Sequence, residues 1–63
     1  MNASQCKAAR EKAGLSIGDL ALIARLSRDT VWRFERGEHI KPSSVAALRQ
    51  ALEDAGANLG EEN

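Results

Sequence analysis

Apolar residues recur at helical spacing in four blocks of this chain, and each block runs into residues that a helix does not readily continue through. Cys6, Ala9 and Ala13, with Arg10 beside them, share one face. Leu20, Ile23 and Ala24 form a second stripe, Val31 and Phe34 a third, and Val45, Leu48 and Leu52 a fourth. Spacings of three and four residues put side chains on one side of a helix that turns about 100° per residue. Between the blocks stand Gly14, then Arg25, Leu26 and Ser27, then Gly37 with a polar loop over Glu38 to Lys41, and finally Gly56. The pattern predicts an all-α fold of four helices with short connections.

Capping residues sharpen those limits. The first helix is expected from Ala3 or Ser4 to Ala13, with Gly14 ending it and Lys12 near the negative end of its dipole. Ser16 is a candidate N-cap, with Asp19 three residues on as the reciprocal half of a near capping box. Ser27 is a second N-cap, and Gly37 suits the C′ position of the helix that follows. Pro42 and Ser43 announce the last helix, which runs to about Ala55 before Gly56 stops it. Residues 1–56 are thus expected to form one domain, and 57–63 an acidic, frayed tail in which Leu59 is the one side chain to find cover.

A chain of 63 residues lies near the lower size for a core without disulfides, so modest stability is expected. The single cysteine, Cys6, excludes an intramolecular disulfide and sits at a core position, although a redox-sensing thiol is the functional alternative. There is no apolar run near the roughly 20 residues that span a bilayer and no signal-peptide pattern, which points to a soluble cytoplasmic protein. Formal net charge is zero, but the charges are segregated. Residues 1–49 carry nine Lys and Arg against five acids, a balance of +4, while residues 50–63 carry four acids and no base. A basic body with an acidic end is compatible with nucleic acid, though an acidic tail is also simply a solvated terminus. His39 stands without a second ligand or nucleophile, and no paired carboxylates or metal spacing occur, so no enzyme, metal or cofactor is expected.

The segment LSIGDLALIARLSRDTVWRFERG, residues 15–37, joins two short amphipathic helices by a tight turn. Measured from Val31, Phe34 lies roughly 60° away, whereas Asp29, Trp32, Arg33 and Arg36 lie at roughly 160°, 100°, 200° and 140°, leaving a coherent polar face. With its "LA", a turn ending in Ser and a closing "ERG", the segment resembles the helix-turn-helix of the phage lambda repressor and Cro (XRE-type) family, and the resemblance extends over residues 6–55. It implies a compact four-helix lambda-repressor-like DNA-binding domain, with the family's fifth helix absent or rudimentary. That leaves open whether a neighbour or dimer partner covers the apolar side of the last helix.

The resemblance also implies roles for particular residues. Arg28, Asp29, Thr30 and Arg33, in the amino-terminal half of the second motif helix, form the candidate base-reading set. Arg33 suits guanine O6 and N7, Asp29 a cytosine amine, and Thr30 a thymine methyl or a phosphate. The bland alternative is a solvated helix face on which Asp29 and Arg33 form an i,i+4 pair. Ser16, Ile17, Arg25, Ser27, Trp32, Arg36, Lys41, Ser43 and Ser44 are candidates for the DNA backbone, which positions without specifying sequence. For Ser43 and Ser44 a helix cap or solvated loop is an equal reading. Arg10 and Glu35 match a pair that ties the family's first helix to its recognition helix. Arg25 departs from the family, which often has Gly at that turn; either it is strained there or the turn differs. Trp32 has three readings: packing at the side of the core, contact with DNA, or a partner surface.

The leading expectation is a sequence-specific regulator of transcription, most often a repressor, of bacterial or phage origin and nucleoid-associated. It would bind a palindromic site on double-stranded DNA as a homodimer. The alternative is a protein-interaction module of antitoxin or bridging type, using Trp32 or the Leu48 and Leu52 face.

Overall fold

The computed structural model describes residues 1–57, so the expected tail and the cover for Leu59 lie outside the described residues. Four helices follow one another, α1 (Ala3–Lys12), α2 (Ile17–Ala24), α3 (Arg28–Glu35) and α4 (Pro42–Asp54), and there is no strand among the described residues. The domain is all-α. Each start has a local cause. Asn2 accepts from Gln5 N–H while the Gln5 side chain accepts from Asn2 N–H, a capping box that was legible as Asn-x-x-Gln but not anticipated. Ser16 and Asp19 make the same reciprocal pair at α2, each bond 2.9 Å. Ser27 caps α3 by accepting from Thr30 N–H, and Pro42 opens α4, where a missing N–H costs nothing.

All four helices end in one motif. The amide one residue past the turn bonds back five residues, and the turn residue's amide bonds back inside it: Leu15 to Arg10, Leu26 to Ala21, Glu38 to Arg33 and Ala57 to Leu52. This closure needs a left-handed residue. Gly14, Gly37 and Gly56 supply it at φ 76°, 96° and 82°, whereas at the α2 end Arg25 adopts it at φ 60°, ψ 42°. The turn is retained, and Arg25 carries the strain.

Helix α2 is the hub, packing most extensively on α3 and α4, and α1 closes over α3 and α4. Cys6, Ala9, Leu20, Ala21, Ala24, Val31, Phe34, Ile40, Leu48, Ala51 and Leu52 fill the core, and the many small residues let short helices approach closely. Several expectations need correction. Ile23, expected inside, is 46 % exposed and Ala21 takes its place, because α2 is covered by α3 and α4 on the Leu20–Ala21–Ala24 side. Ile40, expected in a polar loop, is buried. Leu48 and Leu52 are wholly enclosed by this chain's own helices, so neither offers a face to a partner.

Candidate nucleic-acid interface

The link between α1 and α3 sets how the second motif helix is held. Arg10 reaches Glu35 through two parallel bonds, Nε to Oε2 at 2.8 Å and Nη2 to Oε1 at 3.0 Å, and its Nη1 donates to the Leu15 carbonyl at 2.9 Å. The two side chains are only 10 % and 6 % exposed. The hydrogen bond to Glu35 raises the Arg10 pKa above its already high ordinary value, so the guanidinium stays charged. Cys6 donates to the same Glu35 Oε2 at 3.7 Å. Burial first, then the neighbouring Glu35 carboxylate, pushes the thiol up to about 12, which removes its nucleophilic form at neutral pH. The redox-thiol reading of Cys6 therefore lacks physical support.

With its inner side fixed by Val31, Phe34 and Glu35, α3 turns Arg28, Asp29 and Trp32 to the surface, with Arg33 partly covered. Arg33 Nε lies 3.0 Å from Asp29 Oδ2, one turn back. That nitrogen is enclosed and makes no aligned hydrogen bond, so the contact is one of charge rather than of direction. Arg36 stacks over the Trp32 ring, 4.5 Å from its centroid, and its Nη1 lies 3.6 Å from Glu38. Trp32 is 47 % exposed, which removes the reading of it as core packing. Arg28 crosses to the start of α2, where its side chain lies over Gly18; a Cβ at Gly18 would sit 3.4 Å from Arg28 Nε. Ile17, Arg28, Asp29 and Trp32 together line a shallow cleft of about 260 Å³ where the two helix starts converge.

The remaining candidates are distributed unevenly. The hydroxyls of Ser27 and Thr30 lie 2.7 Å apart and are engaged with each other and with the cap. Ser16 is occupied similarly: its hydroxyl accepts from Asp19 N–H and its own N–H donates to Asp19. The bond from the Ser16 backbone N–H first, and the nearby Ser16 hydroxyl second, hold the Asp19 carboxyl below its ordinary range. Arg25, Lys41 and Ser43 are exposed. Ser44 is not: it is 7 % exposed and its N–H donates to the Lys41 carbonyl at 2.9 Å, so its assignment to the DNA backbone is withdrawn. The partners Gly18 for Arg28 and Glu38 for Arg36 were missed from the sequence. The Arg36/Glu38 juxtaposition depends on the left-handed turn at Gly37, which has no helical periodicity to betray it.

Two helices joined by a left-handed turn, the second presenting a polar face braced from behind, define a helix-turn-helix domain. The profile of the helix-turn-helix domain family matches residues 3–61, and the chain belongs to that family. A protein of Pyrobaculum aerophilum is 41 % identical over 46 residues, 73 % of this chain, and carries the provisional name of an HTH-type transcriptional regulatory protein. The chain spans about 18 % of that protein's length.

Proposed function

We propose that the protein is a sequence-specific regulator of transcription that binds double-stranded DNA through α3 and acts as a repressor by occupying its site. The observation that carries this reading is the α3 surface: Arg28, Asp29 and Arg33 lie on one face, outside the core, on a helix whose opposite side is fixed by a buried bidentate ion pair. A rigid helix displaying arginines suits major-groove edges, where guanidinium meets guanine O6 and N7. Thr30, with its hydroxyl drawn into the cap, contributes its methyl group. The exposed amino-terminal starts of α2 and α3, at Ser16, Ile17 and Ser27, together with Arg25, Trp32, Arg36, Lys41 and Ser43, meet the backbone. The family and the name of the Pyrobaculum aerophilum relative support the same assignment.

The longest dimension of the domain is 29 Å, shorter than the roughly 34–36 Å between half-sites one helical turn apart. One copy therefore covers one half-site, and a homodimer on a palindrome is the economical arrangement. The protein binds rather than catalyses, and works in the cytoplasm with its DNA. A second reading, a protein-interaction module, draws on Leu22 and Ile23, which are 79 % and 46 % exposed on α2.

Selection from a random duplex pool, followed by titration of Arg33→Ala and Lys41→Ala on the selected and a scrambled duplex, tests the proposal. Arg33→Ala is expected to lose more on the selected duplex. Lys41→Ala is expected to lose equally on both and to lower the salt slope by about one unit. Absence of salt-dependent binding to any duplex at roughly 50 mM salt would refute DNA binding and favour the second reading.

A further inference from the structure

The arginines of α3 are engaged before any ligand arrives. Arg33 is held by Asp29, Arg36 by Trp32 and Glu38, and Arg28 lies against Gly18. The Arg33 contact differs from the others in which atom is used. Nε is enclosed against the Asp29 carboxylate, while the side chain as a whole is 43 % exposed, so its accessible part lies away from Nε. A guanidinium drawn to a carboxylate on its Nε side by charge keeps its two terminal nitrogens for a planar acceptor pair. Asp29 itself is 70 % exposed, and its charge faces whatever approaches α3.

We propose that Asp29 is a specificity-determining residue that acts through Arg33, holding the guanidinium for a guanine and keeping it off phosphate, rather than accepting from a cytosine itself. The inference rests on the DNA-binding reading above and replaces direct reading by Asp29 within it. If Asp29 turned to a base, the enclosed Arg33 Nε would lose the carboxylate 3.0 Å away, an unfavourable exchange for a charged donor. In place, the carboxylate repels phosphate and so weakens sequence-independent binding, which is driven by phosphate neutralisation.

The test uses the full chain, the duplex selected by the unaltered protein, and a scrambled duplex of equal composition. Fluorescence anisotropy at several salt concentrations gives both affinities, and far-UV circular dichroism verifies helicity. Asp29→Ala and Asp29→Asn are expected to lower the selected-to-scrambled ratio by roughly tenfold, within the range of one bidentate base contact. Much of the change should be tighter scrambled binding, with a salt slope steeper by about one unit. In an Arg33→Ala background, Asp29→Ala should change the ratio less than twofold. Asp29→Asn preserves shape, so it decides the matter should the alanine variant lose helicity. An unchanged ratio, an effect that persists in the Arg33→Ala background, or reselection showing loss of a C·G preference at a position Arg33→Ala does not affect would each overturn the proposal while leaving DNA binding intact. Failure of the unaltered protein to select any duplex would overturn both.

Discussion

Glu35→Ala is expected to lower the stability of this domain by about 3–5 kcal/mol. Glu35 is the acceptor for both parallel bonds of Arg10 and for the Cys6 thiol, and its side chain is 6 % exposed. Removing it leaves a guanidinium 10 % exposed that still donates to the Leu15 carbonyl, where breaking a buried pair costs about 3–5 kcal/mol. A chain of 63 residues commonly has about 3–9 kcal/mol of stability in total. The single change therefore removes from about a third to all of what is available. Because desolvating two charges nearly cancels their attraction, the double change Arg10→Met with Glu35→Leu should recover most of the loss. Urea unfolding followed by far-UV circular dichroism measures both, since the half-exposed Trp32 is a poor reporter of core packing. A loss below about 1 kcal/mol for Glu35→Ala would refute the reasoning. It would mean that the pair is solvated in practice and that packing alone orients α3.

Arg25→Gly should stabilise the fold, because a left-handed conformation costs a side-chain-bearing residue about 1–2 kcal/mol and the added flexibility of unfolded Gly returns about half of that. A net gain of about 0.5–1 kcal/mol raises the melting temperature by several degrees, and no rise would show that Arg25 makes compensating contacts. Cys6 supplies an alkaline test: its folded pKa, about 12, lies above the ordinary 9.0, so its contribution is complete below pH 9 and is lost as pH climbs from there toward 12. Stability should fall across that window in the unaltered protein and less in Cys6→Ala once the cavity cost is subtracted as a constant offset. The same enclosure makes thiol labelling at neutral pH wait on opening of the fold, so the labelling rate should track unfolding free energy among variants.

Interactions between residues three to five apart were determined by the sequence itself. The Ser16–Asp19 box, the Ser27 cap, the Pro42 start and the glycine closures all form where the residue types place them, because each depends only on one turn of backbone and its own side chains. The face of α3 that is free of core duty was legible for the same reason, since helical periodicity alone separates Val31 and Phe34 from Asp29, Trp32 and Arg33. The tertiary structure decided what periodicity leaves degenerate. Ala21 rather than Ile23 faces inward because α3 and α4 both lean on one side of α2, and Ile40, in the connection between α3 and α4, joins the buried cluster with Phe34 and Leu48. Ser44 is enclosed and Leu48 and Leu52 need no partner, since α4 packs against α2 and α1 and both leucines are fully buried. Asp29 as the partner of Arg33 was legible as i,i+4 spacing, whereas the contacts of Arg28 with Gly18 and of Arg36 with Glu38 were settled by packing. Those long side chains reach across turns and between helices, so their partners depend on helix placement that no local spacing encodes.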